Sequence, residues 1–282
     1  MNTQVLPKTL MITGSNDKLM QTDIHLNSQE LFNQPTVIFC HGYKGFKDWG
    51  CWNLVAENFA NQGFNFVKFN FSHNGVTPEN PLDFVDLEAF GNNNYSKELF
   101  DLESVINWVV SDENELKDFF NKEKIYLIGH SRGGGIVSLA TAKDNRVAKT
   151  ITWASVFDLT DRLPGDVEKW KVKGVIHELN GRTNQEMPLY YQFYENTELN
   201  KEELSITKQG KKINVPFCII HGTKDKAVSE EEAVKLNDLI STSEIILLEQ
   251  AGHTFGSSHP WIKNELPADL KEVVTQSIEF LS

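Results

Sequence analysis

The chain has 282 residues, 40% hydrophobic and 23% charged, enough to bury one sizeable core, alone or with a subdomain. A net charge of −12 repels phosphate, which argues against a nucleic-acid partner and disfavours polyanionic substrates. No apolar run reaches the length of a membrane span, and the opening MNTQVLPKTLMITGSND lacks the basic patch and apolar stretch of a secretory leader, so a cytoplasmic protein is expected.

Taken in chain order, strand-like runs occur first at residues 9–13 and 20–26. The turn residues 14–17 separate them with no room for a helix, so this pair is expected as an antiparallel edge hairpin. Further runs follow at 36–40, 65–69, 125–128, 150–153, 217–220 and 244–248. Helical spacing joins Trp52, Val55, Ala56, Phe59 and Ala60, then Leu99, Leu102, Val105, Ile106 and Val109. Similar stripes run through Ile136, Val137, Leu139 and Ala140, through Ala233, Leu236, Leu239 and Ile240, and through Leu270, Val273, Val274, Ile278 and Leu281. Strands alternating with helices predict an α/β fold, a mostly parallel sheet with helices on both faces. Residues 157–212 break the rhythm: they show no convincing strand, only short helices over 167–172 and 189–195, the second following Pro188. They read as a small cap inserted between the sixth and seventh strands of one domain spanning 1–282. Cys40, Cys51 and Cys218 have no metal-ligand spacing; Cys40 and Cys218 lie inside apolar runs and read as buried thiols.

In an open parallel sheet, ligands bind beyond the carboxyl ends of the strands. The residues that follow those ends are HGYKG at 41–45, GHSRG at 129–133, HGTKD at 221–225 and EQAGH at 249–253. Ser131, Asp225 and His253 thus come from three loops at one rim. A serine hydroxyl is a poor nucleophile at neutral pH, and a base must take its proton as it attacks. Imidazole, with an ordinary pKa of ~6.5, suits that task. Asp48, Asp158 and Asp161 are the other candidate carboxylates, but none follows a late strand; His259, beside Pro260, is the near rival of His253. His41, His130 and His221 flank the motifs and are expected to hydrogen-bond loop backbone, while Lys44, Lys47 and Asp48 are expected to tie down the loop after the third strand.

The G-x-S-x-G of Gly129–Gly133, the chain order Ser131, Asp225, His253 and the HGYKGF and AGHTF stretches resemble the α/β-hydrolase family, in particular its serine esterases and peptidase-like, dienelactone-hydrolase-like and feruloyl-esterase-like members. The resemblance implies Ser131 as nucleophile on an elbow, His253 as base and Asp225 as the group that orients it. It also implies an oxyanion hole from the backbone N–H groups of Arg132 and Tyr43. The Tyr43 side chain by its own chemistry either packs or offers its hydroxyl as a further donor. The expected activity is a carboxylesterase that needs no metal or cofactor and takes small to medium uncharged acyl or aromatic esters. An amide-cleaving enzyme, an acyltransferase and a non-catalytic binder are the alternatives. The aromatic residues Phe157, Trp170, Tyr190, Tyr191, Phe193 and Tyr194 of the insertion either wall a substrate pocket or hold the insertion to the body.

Overall fold

Apolar residues on successive strands alternate between two cores, one on each face of a single sheet. The computed structural model describes residues 7–27, 29, 31–163 and 165–282. It opens on the antiparallel pair β1 (Lys8–Thr13) and β2 (Leu19–His25), joined as expected through a turn at Gly14–Lys18. Next come β3 (Gln34–Cys40), α1 (Trp52–Asn61) and β4 (Asn65–Phe69). Two helices follow without an intervening strand, α2 (Leu87–Gly91) and α3 (Tyr95–Val110). The chain then alternates through β5 (Phe120–His130), α4 (Arg132–Lys143) and β6 (Val147–Trp153). Along β3, Ile38 and Cys40 pack into the core under α3 and α4, while Val37 and Phe39 face the core under α1. The same period-two split sends Ile125 and Leu127 of β5 one way and Tyr126 and Ile128 the other. Because both faces are covered, the strand reads as a continuous apolar run.

Residues 157–212 correct the expectation. They hold α5 (Val167–Lys173), then an antiparallel ribbon of β7 (Val175–Asn180) and β8 (Gln185–Tyr190), then α6 (Gln192–Leu199), α7 (Lys201–Leu204) and α8 (Ile206–Gln209). The helix expected from 189 begins instead at Gln192, because Leu189 and Tyr190 complete the ribbon by pairing with Ile176 and Val175. Pro188 is not a helix start: both strands of a two-stranded ribbon are edges, where a residue without an N–H is tolerated. Arg182, between the strands, donates to the Leu82 carbonyl, and Gln185 on β8 donates to the Phe84 carbonyl.

The chain finishes with β9 (Phe217–Gly222), α9 (Glu230–Leu239), β10 (Ser243–Leu248) and α10 (Ala268–Leu281), which lies with α1 over the second core. The main sheet has eight strands in the order β1-β2-β4-β3-β5-β6-β9-β10. Only β1 with β2 and β2 with β4 are antiparallel. Chain order reverses direction at β3, whose neighbours are β4 and β5. The loops leaving β3 and β5 therefore open side by side, the position where such sheets hold ligands. Among the described residues no helix is long and apolar enough to cross a membrane.

Candidate active site

Ser131 lies between the last residue of β5 and the first of α4, at φ 56° and ψ −120°, a left-handed conformation that non-glycine residues adopt only under constraint. The glycines around it are required by space. A Cβ on Gly129 would stand 2.2 Å from the Gly133 carbonyl oxygen, and one on Gly133 would stand 2.3 Å from the Cys40 carbonyl oxygen. Both obstacles are backbone, so a larger residue at either position would force the turn open. The Ser131 N–H donates to the Trp153 carbonyl at 2.9 Å, which ties the turn to β6.

The side chain of Asp225, in the loop after β9, is completely buried. Its Oδ2 accepts from His253 Nδ1 at 2.7 Å, and His221 Nε2 stands 3.4 Å from the same oxygen. Its Oδ1 accepts the Ala227 and Val228 N–H groups at 2.8 and 2.9 Å. Burial pushes the carboxyl up, but the hydrogen bonds from His221, His253 and Val228 outweigh it and hold Asp225 well below the usual carboxylate range. With Nδ1 engaged by Asp225, Nε2 is the ring nitrogen left to accept a proton. His253 and Ser131 line the same two cavities, of about 180 and about 320 Å³. Among the described residues no hydrogen bond closes between Ser131 Oγ and the imidazole, a contact that commonly tightens only when substrate is bound.

The flanking histidines serve the loops, as expected. His130 Nε2 donates to the His253 carbonyl at 2.9 Å, His41 Nδ1 to the Gly42 carbonyl at 2.9 Å, and His221 Nε2 lies 3.0 Å from the Val228 carbonyl. Burial above all, with the neighbouring His253, drives His130 down to about 3, so it remains a neutral donor. His259 accepts the Gly50 N–H through Nδ1 at 2.9 Å and lines neither cavity. Asp158 is spent on Thr160, Ser205 and Thr207, and Asp48 on Lys47 and Lys68.

The Tyr43 N–H, in the loop after β3, and the Arg132 N–H, at the start of α4, have no hydrogen-bond partner among the described residues. The Tyr43 hydroxyl is buried and unpartnered, and burial pushes its pKa well above the ordinary phenol value, so it stays protonated. The larger cavity is walled by Tyr43, Tyr95, Val156, Leu159, Arg162 and Glu178. None of the aromatic residues at 157, 170, 190, 191, 193 and 194 lines either cavity; Trp170 and Phe193 are buried in the packing beneath them. Sequence reasoning missed Tyr95 and Glu98, because charged and polar positions on a helix pattern read as solvent-facing; Asn94, the N-cap of α3, was the available signal that the helix starts early enough to reach the rim.

The BD-FAE family model matches residues 22–240. No curated protein matches the chain by sequence. Among solved structures it is similar to Est1E from Butyrivibrio proteoclasticus with ferulic acid bound (18% identity, 96% of this chain and 98% of that one, TM-score 0.73). It is also similar to the Pyrococcus furiosus esterase Pf2001 (17%, 98% and 91%, 0.61) and to a puromycin-hydrolysing peptidase of Mycobacterium tuberculosis (15%, 98% of this chain but 38% of that one, 0.66). At these identities the structures establish the α/β-hydrolase fold, and the family match, spanning most of the sequence, establishes the lineage: the chain belongs to the BD-FAE family.

Proposed function

We propose that the protein is a carboxylesterase acting on small to medium, uncharged acyl or aromatic esters through Ser131, His253 and Asp225. The observation that carries this reading is the strained, glycine-walled turn that presents Ser131 to the same cavities as an imidazole anchored by a buried carboxylate. Ser131 Oγ attacks the ester carbonyl while His253 takes its proton, and the carbonyl oxygen becomes an oxyanion held by the Arg132 and Tyr43 N–H groups. The intermediate collapses, the C–O bond to the alcohol breaks, and the imidazolium returns the proton to the departing oxygen. Water, deprotonated by His253, then attacks the acyl-enzyme and frees the acid and Ser131.

The charged groups around the larger cavity support a neutral substrate, since each already has a partner. Arg132 faces Glu98, Arg162 pairs with Glu232 and Glu178 with Lys44. The free, buried state of Cys40, Cys51 and Cys218 suits a reducing, cytoplasmic setting. Amide cleavage is the second reading, favoured by the fold shared with the puromycin-hydrolysing peptidase.

The deciding experiment is labelling with a fluorophosphonate together with hydrolysis of p-nitrophenyl butyrate and an aminoacyl-anilide. The ester is expected to turn over and the probe to mark Ser131, both lost in Ser131→Ala. Turnover that survives Ser131→Ala would remove the serine mechanism; faster anilide than ester cleavage would favour the amide reading.

A further inference from the structure

The two backbone donors assigned to the oxyanion hole come from loops that the sheet does not join. The ladder between β3 and β5 ends at the pair Cys40 and Gly129. Beyond it, among the described residues, no backbone hydrogen bond links residues 42–45 to residues 131–134. Yet the distance between the Tyr43 and Arg132 amides decides whether both can reach one oxygen, and an error near 1 Å in such a site can cost about 10²-fold in rate.

The side chains of these same two residues meet. The Arg132 guanidinium lies 3.8 Å from the centre of the Tyr43 ring, well within range of a cation–π contact. It is caged by the Tyr95 ring at 5.2 Å and the Phe193 ring at 5.6 Å, and Glu98 Oε1 stands 3.4 Å from its Nη1. Glu98 is itself fixed by the Asn93 side chain at 2.7 Å. The Tyr43 ring also packs on Phe90, with centroids 5.6 Å apart. Arg132 is thus bolted from α3 and α6, and Tyr43 rests against it.

We propose that the Arg132–Tyr43 stack, braced by Glu98, is the device that sets the spacing of the oxyanion hole, with Arg132 and Tyr43 acting as positioning residues through their side chains as well as donors through their backbones. The inference rests on the esterase reading and adds a specific claim to it: the arginine inside the GHSRG motif serves the transition state rather than substrate affinity. The planar guanidinium matters, because an ammonium cannot lie flat on a ring.

The test uses the full chain with Arg132→Met, Arg132→Lys, Tyr43→Leu, Tyr43→Phe and the double variant Arg132→Met/Tyr43→Leu. With p-nitrophenyl butyrate, Arg132→Met and Tyr43→Leu are each expected to lower kcat roughly 10- to 100-fold with KM changed less than about threefold. The double variant is expected to be no slower than the worse single one, because both remove the same stack. Tyr43→Phe, which keeps the ring, recovers most of what Tyr43→Leu loses, whereas Arg132→Lys recovers little. Affinity for a trifluoromethyl ketone, which forms a tetrahedral oxyanion on the serine, falls in step with kcat. Losses that multiply in the double variant, or a rise in KM at constant kcat, would overturn the proposal. A readout free of turnover separates it from the esterase reading: amide hydrogen exchange across residues 42–50 is expected to rise about tenfold in Arg132→Met. Unchanged exchange overturns the stack as a tether. If the wild-type chain fails to label at Ser131, the esterase reading falls while the exchange result still decides the stack.

Discussion

Asp225 carries two loads with one carboxylate. One oxygen holds the imidazole of His253, and the other closes its own loop by accepting the Ala227 and Val228 amides. An Asp225→Asn substitution can keep the loop contacts, but it offers the imidazole an amide in place of an acceptor and so favours the wrong tautomer. The expected outcome is a kcat reduced about 10³- to 10⁴-fold with the fold retained, measured by ester turnover beside a thermal melt. A loss under tenfold would mean that another group orients His253. At this scale the sequence is highly legible where space is the constraint. Gly129 and Gly133 face backbone oxygens, so no other residue type suits them, and the motif is readable without coordinates. Glu98 is the opposite case: its role depends on Arg132, 34 residues away, and nothing in its own neighbourhood announces it.

The loop after β3 shows how elements are fixed by charge. Lys47 and Lys68 both reach Asp23 Oδ2, at 2.6 and 2.7 Å, and both also reach Asp48. Lys68 is fully buried, so its charge must be matched inside the protein. Burial raises the Asp23 carboxyl, but Lys68 and Lys47 overcome this and bring it down to about 2. The contribution of a carboxylate lowered in the folded state is complete above the ordinary value of ~3.9 and is lost as the pH falls through about 2. Asp23→Asn is expected to cost about 3–5 kcal/mol at neutral pH by leaving buried lysine charge unmatched. Denaturant melts of the two proteins should converge as the pH drops from about 4 toward 2, where wild-type Asp23 is protonated too. A gap that stays constant over that window would assign the loss to packing. The expectation that Lys44, Lys47 and Asp48 secure this loop agrees with the structure, but their partners on β2, β4 and β7 were not legible, since they come from strands distant in sequence.

Across the whole molecule, residues 157–212 are the part whose architecture differs most from its pattern. We read them as a cap whose buried side chains, Trp170, Leu189 and Phe193 among them, join the core under α3 and α4. Trp170 is fully buried, donates through Nε1 to the Leu189 carbonyl at 2.9 Å, and packs against Tyr191, Phe193 and Tyr194. Replacing it with alanine should remove about 3–5 kcal/mol of packing from this segment. Trypsin is then expected to cut within the insertion, which carries Lys169, Lys171 and Lys173, well before the sheet unfolds. Unaltered resistance to cleavage would show that the polar ties of Arg182, Gln185 and Gln192 to residues 82–93 hold the segment unaided.

The residues alone were sufficient for the eight strands of the main sheet and for most of the helices around it, because burial on two faces and helical spacing are local patterns that side-chain chemistry writes directly into the order of residues. The glycine-walled turn and the loops bearing Asp225 and His253 were readable for the same reason. The ribbon at 175–190, the cage around Arg132 and the partners of the buried lysines were decided only by tertiary structure. Each depends on which groups the fold brings opposite one another, and a charge or an aromatic ring has no fixed role until its neighbour is in place.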